Sequence, residues 1–386
     1  MSPQFFIFIC LCSLATGTFI SVQTISTSPT KSLVFQTTSD SFLVTSCPCF
    51  DVINKFEPYS FQVRNWDTAH AQFNQKPIQK LPRKNAKEFQ YQTVYTTFNG
   101  SIYIVLTFFE EVADDDASNS TGIVIYKWDT PTDKFIFFQD IGKECNFGQF
   151  GATTIFEIDD TLVLIVGKYL LGMNSSHLFD CRAIYPIHAN VTFPFYFQNF
   201  VSEGQVYLYF LNYDYTSDLL IWVKNSSSVL GGNFVFFQSL PAIASHSRKS
   251  ISAAIPTDSV SGLLAFLFCS NQSYLFYGLT NDILAWSSVH NKFITIYKLP
   301  SSVKAFLTWG ASICFNDTMV LSFTDFSISD DDFLHENFIY TWDGTAAVLL
   351  QSFPAIESIE SFFVIDSQLY FSALISGGIA IYVKTN

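Results

Sequence analysis

Ile125-Tyr126-Lys127-Trp128-Asp129, followed by Phe135-Ile136-Phe137-Phe138-Gln139-Asp140-Ile141, is one copy of a phrase that recurs along this chain. It returns as Ile221-Trp222-Val223-Lys224 with Phe234-Val235-Phe236-Phe237-Gln238-Ser239-Leu240-Pro241. It returns again as Ile283-Leu284-Ala285-Trp286 with Phe293-Ile294-Thr295-Ile296-Tyr297-Lys298-Leu299-Pro300, and as Ile339-Tyr340-Thr341-Trp342-Asp343 with Val348-Leu349-Leu350-Gln351-Ser352-Phe353-Pro354. Self-similarity at a spacing of tens of residues means one supersecondary unit used many times.

Between copies the chain alternates apolar and polar residues in short runs. Thr153–Ile158 and Leu162–Val166 flank Asp159-Asp160; Val94–Phe98 and Ile102–Leu106 flank Asn99-Gly100; Phe362–Ile365 and Leu369–Ser372 flank Asp366-Ser367. Asn-Gly and Asp-containing pairs are what two-residue hairpin turns require. Each unit then reads as an inner hairpin, a longer loop, the Ile-Tyr-x-Trp strand and the Phe-Gln strand. Helical periodicity is absent. Repeated four-stranded antiparallel units are propeller blades, so the chain is expected to be all-β.

Outer strands are expected near Gln36, Gln79, Gln139, Gln238, Tyr297 and Gln351, with one more between Gln139 and Gln238. Arg182–His188, after Leu178-Phe179, is preferred there over Phe195–Gln198, and the total is seven. Leu33-Val34-Phe35-Gln36 reads as an outer strand without inner partners, and Ile379–Lys384 as an inner set lacking its outer strand. Their pairing would close the ring and remove two open edges. The 43 Phe residues and Trp128, Trp222, Trp286 and Trp342 read as packing groups between blades; Trp309 is off the pattern.

Residues 1–17 read as a secretory leader, with an apolar Phe5–Leu14 and small residues at Ala15-Thr16-Gly17, so cleavage is expected after Gly17. Residues 18–30 read as a linker and 31–386 as the propeller. Seven N-x-S/T sequons, at Asn99, Asn119, Asn174, Asn190, Asn225, Asn271 and Asn316, predict a glycosylated extracellular surface. Once Cys10 and Cys12 leave with the leader, Cys47, Cys49, Cys145, Cys181, Cys269 and Cys314 remain as disulfide candidates of undetermined pairing. The net charge of −13 and the lack of a basic stripe argue against a nucleic-acid partner. No later apolar run is long enough for a membrane helix.

The Ile125–Asp129 and Phe135–Ile141 phrases, with Phe156-Glu157-Ile158-Asp159-Asp160, resemble the EPTP repeat, also called the epilepsy-associated repeat (EAR). The resemblance spans about Lys31 to Asn386 and includes the propeller of the leucine-rich glioma-inactivated proteins. It implies a seven-bladed propeller that binds extracellular proteins, in known cases disintegrin-metalloprotease-like cell-surface receptors. This chain has no leucine-rich or thrombospondin-type module ahead of the repeats. Some members hold calcium through Asp residues at inner-strand starts. The corresponding place before Phe156 holds Ala152, so that site is not carried over.

No catalytic spacing is present: His70, His177, His188, His246, His290 and His335 are scattered, and no Gly-x-Ser-x-Gly occurs. The expectation is a non-enzyme with no metal or cofactor. Two acidic clusters, Glu110-Glu111 with Asp114-Asp115-Asp116 and Asp330-Asp331-Asp332, fall in connections between second and third strands. They are candidate binding loops on one face of the disc, and ordinary solvated loops are the plainer account of them. The primary expectation is a secreted module that binds a receptor or matrix protein. The alternatives are a carbohydrate-active enzyme using carboxylates at the channel mouth and a structural cell-coat glycoprotein.

Overall fold

The computed structural model describes residues 18–26, 31–37, 40–46, 59–82, 88–110, 122–141, 145, 152–174, 178–192, 194–212, 216–225, 228, 230–240, 264–277, 282–299, 307–328, 333–354, 356–376 and 378–385. It is an all-β propeller of seven antiparallel sheets. Blades one to six span 31–82, 88–140, 153–186, 194–239, 264–298 and 307–353. Blade seven joins 358–384 to the N-terminal strand Phe19–Ser26. The first strands of neighbouring blades adjoin around the centre, and the fourth strands form the rim.

The ring closes where the two ends of the chain meet, but with a different strand from the one expected. Lys31–Gln36 is the first strand of blade one and pairs with Ser41–Ser46. The rim strand of blade seven is Phe19–Ser26, paired with Gly378–Lys384 from Phe19↔Lys384 to Ser26↔Gly378. The stretch read as a linker, 18–30, therefore supplies the closing strand, and the propeller begins at Phe19. The Phe-Gln ending of Leu33–Gln36 was misleading. In three of the rim strands the Gln follows its Phe by four positions: Phe19…Gln23, Phe135…Gln139 and Phe234…Gln238. In blade three the rim strand is Phe179–Pro186, as the preferred register had it, while Pro194–Ser202 opens blade four.

Seven apolar clusters fill the seven joints between blades. Five of the seven third strands carry a Trp near their end that reaches back onto the preceding blade: Trp128 lies 4.6 Å from Phe42, Trp286 6.0 Å from Phe237 and Trp342 5.1 Å from Tyr297. Trp222 lies in one cluster with Phe156 and Ile158. Trp66, which the sequence phrases did not single out, is a fifth, 5.4 Å from Tyr370 of blade seven. Burying such a side chain contributes about 1.5–3 kcal/mol by area.

A second recurring contact joins the rim strands. The side-chain amide of a Gln pairs with both backbone groups of the Phe opening the next rim strand. Gln23 holds Phe73, Gln79 holds Phe135, Gln139 holds Phe179, Gln238 holds Phe293 and Gln351 holds Phe19. A primary amide carries one acceptor and a donor, so it can stand in for a neighbouring strand. In four of these strands one extra residue, Val22, Phe138, Phe237 or Leu350, interrupts the register just before the Gln. Bulges re-aim the side chain that follows them.

The joints between blades three and four, and between five and six, have no such clamp among the described residues. At the first, Asp159 of blade three accepts from Trp222 Nε1 at 3.1 Å and meets Lys224 Nζ at 2.7 Å. At the second, the Cys269–Cys314 disulfide ties the two first strands together.

Candidate functional site

The strand order gives the disc two unlike faces. One face carries the turns between first and second strands and between third and fourth. Six of the first kind are two-residue turns, at 99–100, 159–160, 203–204, 270–271, 316–317 and 366–367. Their first residues, Asn99, Asp159, Glu203, Ser270, Asn316 and Asp366, have φ between 46° and 51°, a left-handed conformation that Asn, Asp and Gly tolerate best. The opposite face carries the connections between second and third strands and those between blades. The longest in the chain, 47–58, 111–121, 141–152 and 240–263, all lie there.

The tight-turn face is pinned by local hydrogen bonds. Asp343 Oδ1 accepts the Thr345 and Ala346 N–H groups and the Thr345 hydroxyl, which together hold its carboxyl below the usual carboxylate range. Asp67 Oδ2 meets His70 Nδ1 at 2.7 Å, and that bond lowers the Asp67 carboxyl likewise. Ser287 Oγ meets His290 Nδ1 at 2.9 Å and also accepts the His290 N–H. These two imidazole contacts occupy equivalent third-to-fourth-strand turns, and local turn closure accounts for both.

On the loop face, the described groups gather most closely between blades four and five. Tyr277 Oη lies 3.1 Å from Ser217 Oγ, beside the fully buried Tyr209, and burial drives the Tyr209 phenol well above its ordinary range. Asp282, also buried, lies 4.0 Å from Lys298 Nζ. Towards the channel, hydroxyl pairs stitch blades together: Ser32 to Ser372 at 2.9 Å, Thr107 to Thr153 at 3.2 Å and Ser202 to Ser273 at 2.7 Å. The Ser217–Tyr277 contact and the three hydroxyl pairs satisfy their members within the packed joints, while the Tyr209 hydroxyl is buried without a hydrogen-bond partner among the described residues. Among the described residues no cluster of three or more His, Cys, Asp or Glu could hold a metal ion, and no helix is long and apolar enough to cross a membrane.

The candidate binding loops divide as follows. Glu110 is the last residue of the strand Ser101–Glu110, one position short of the loop expected for it. Glu111, Asp114, Asp115 and Asp116, and Asp330, Asp331 and Asp332, lie outside the described residues. The connections that contain them, 111–121 and 329–332, both join second to third strands and so open on the loop face. Of the sequons, Asn99, Asn174, Asn190, Asn225, Asn271 and Asn316 are exposed, and Asn119 is outside the described residues. Of the cysteines, Cys269 and Cys314 pair with each other and Cys145 is disulfide-bonded. Cys181 falls on the rim strand of blade three. The leader 1–17, Cys47 and Cys49 are outside the described residues, and so is the Trp309 side chain.

No protein-family model matches the chain, and no curated protein matches it. Among solved structures, the fold is similar to a candidate 6-phosphogluconolactonase from Bacteroides fragilis, with TM-score 0.53 and 10% identity over 90% of this chain and 94% of that one. It is similar to the β-propeller domain of Cps50 (Swd1) from Myceliophteria thermophila, with TM-score 0.50 and 10% identity over 95% of this chain and all of that one. Trypanosoma rangeli sialidase aligns at TM-score 0.46 and 9% identity, and the chain spans 59% of its length. The class that the lactonase-like and Cps50 similarities define is the β-propeller, and at these identities they define the fold alone.

Proposed function

We propose that this chain is a secreted, EPTP-type propeller that binds an extracellular protein through the loop face. The observation that carries the reading is the unequal length of the connections. Tight, internally hydrogen-bonded turns close one face, while the four longest connections gather on the other. Binding residues favour loops held by a rigid scaffold. The repeat phrase supports the family. The Cys269–Cys314 bridge and the bonded Cys145 are of the kind that persists in oxidising compartments. Cleavage after Gly17 would remove only residues ahead of the closing strand, which begins at Phe19.

The test is a binding screen of the secreted protein against a cell-surface receptor library, starting with disintegrin-metalloprotease-like receptors. The expected result is saturable binding that drops at least tenfold when Glu111, Asp114, Asp115, Asp116, Asp330, Asp331 and Asp332 are changed to Asn or Gln. Absence of any protein partner, together with turnover on a glycan panel, would overturn the reading in favour of a carbohydrate-active propeller.

A further inference from the structure

The seven sequons are not shared evenly between the two faces. Asn99 falls in the 99–100 turn of blade two, Asn174 in the 174–178 turn of blade three, and Asn225 in the 225–231 turn of blade four. Asn271 falls in the 270–271 turn of blade five and Asn316 in the 316–317 turn of blade six. All five turns open on the tight-turn face, and five consecutive blades contribute one sequon each. Only Asn119 and Asn190 lie in connections of the loop face, although those connections are much the longer. Blades one and seven have none. Within each of blades two to six, one of the two turns carries the sequon and the other does not.

Turn chemistry does not account for this pattern. The left-handed first position of the two-residue turns is filled by Asp159 in blade three, Glu203 in blade four, Ser270 in blade five and Asp366 in blade seven. Asn is therefore one of several residues that the turn accepts. At Asn99, Asn271 and Asn316 a Ser or Thr also stands two positions on, at Ser101, Ser273 and Thr318. Ser273 is buried and bonded to Ser202 in the folded disc, while Asn271 remains exposed. At Asn174 and Asn225 the sequon falls in a longer turn and both asparagines are exposed; Asn174 Oδ1 accepts the Leu178 N–H at 3.1 Å, a role that an Asp would fill equally.

We infer that the tight-turn face is the glycosylated face. Asn99, Asn174, Asn225, Asn271 and Asn316 carry N-linked glycans in an arc over blades two to six, with an open sector at blades seven and one. The inference rests on the secretory reading above. It adds a division of labour: sugar solvates the face of short turns, and the face of long connections stays largely accessible to a partner. A bulky, hydrated glycan excludes protein from the surface around it. The exposed Asn190 is the exception within reach of the loop face, and its Nδ2 donates to Asp218 at 2.9 Å.

The experiment expresses the full chain with its own N-terminus in cultured eukaryotic cells. The secreted protein is treated with peptide N-glycosidase in heavy-oxygen water, and occupancy is read site by site by mass spectrometry. At least four of Asn99, Asn174, Asn225, Asn271 and Asn316 should be occupied in most molecules. Stepwise Asn→Gln changes at these positions should give a matching ladder of gel mobilities. Two or more of the five left empty in secreted protein would overturn the one-faced coat while leaving secretion standing. Retention of an unmodified chain in the cytosol would overturn both, with Met1 still present at its start. An Asn99→Asp variant, which keeps a turn-compatible residue, separates loss of sugar from loss of fold.

Discussion

The side-chain amide of Gln139 grips both backbone groups of Phe179, forty residues further on and in the next blade. Its Nε2 donates to the Phe179 carbonyl and its Oε1 accepts the Phe179 N–H, each at 2.9 Å. Both residues are buried, so neither backbone group has water to fall back on. Gln139→Met keeps the length and removes both bonds. It should cost about 1–3 kcal/mol, read as a lower urea midpoint at unchanged slope. Gln205→Ala, at the exposed start of its strand, should stay within about 0.5 kcal/mol of the parent.

Gln139→Glu makes a sharper test. The carboxylate can still accept from the Phe179 N–H, but it faces the Phe179 carbonyl without a proton to donate. Burial and that carbonyl both raise the new carboxyl's pKa in the fold above its unfolded value. The penalty is therefore present at neutral pH and shrinks as pH falls and the carboxyl is protonated. The variant's deficit relative to the parent should narrow between pH 7 and pH 5 in thermal melts. A constant deficit would contradict the donor role.

Two glycines in the same inter-blade cluster should respond differently to a methyl group. A Cβ on Gly232 would lie 2.5 Å from Trp222 Cε2, against a ring already packed on Phe234 at 5.1 Å. Gly232→Ala should cost about 1–3 kcal/mol, because a fused ring in a filled joint cannot step aside. A Cβ on Gly172 would meet Leu230 Cδ2, the far end of a flexible and partly buried side chain. Gly172→Ala should be the milder change in the same melts.

The Cys269–Cys314 bridge closes a loop of sequence separation 45 at a joint without a described Gln clamp. Chain entropy alone puts its contribution at about 4 kcal/mol. The Cys269→Ser/Cys314→Ser variant should lose a large part of that, and its amide exchange should rise first in blades five and six. Uniform loss of protection around the whole ring would show that the joint has no special dependence on the bridge.

Asp159 gives the joint between blades three and four an acid limb. The Lys224 ammonium lowers its carboxyl first, and Trp222 Nε1 adds to that. A depressed carboxylate supports the fold above its unfolded value and withdraws that support as pH falls through its lower folded value. Exposure and salt keep the effect small. Trp222 fluorescence should change below about pH 4, the unfolded aspartate range, and Asp159→Asn should remove that change without moving the neutral-pH spectrum.

Much of this ring was legible because its two joint-forming residues repeat in the sequence. Trp128, Trp222, Trp286 and Trp342 stand just before a turn, and a Phe-to-Gln spacing of four follows it after Trp128 and Trp222. What escaped reading did so for local reasons. Trp66 went unrecognised because the rim of blade one is split into Gln72–Phe73 and Gln79–Pro82, which puts Gln79 six positions after Phe73. Phe19…Gln23 has the correct spacing but follows directly on the leader's apolar run, where it reads as part of the exit from the leader. The bulge before each Gln has no sequence signal, since Val22, Phe138, Phe237 and Leu350 are ordinary strand residues. The candidate loops were placed on one face by strand order alone, and side-chain periodicity says nothing of connections.

The seam at blade seven also sets the timetable of folding. Thr18 O accepts the Thr385 N–H at 2.8 Å across a sequence separation of 367. At about 5–20 residues per second, roughly 20–70 s pass between synthesis of the first strand and of its partner. For that interval Phe19–Ser26 has Ile20 and Val22 to display and no strand to pair with, while blades one to six can assemble in order of emergence. A nascent chain of this protein is thus an open arc whose earliest segment is the last to be placed, and the cell must keep that segment from finding another edge first.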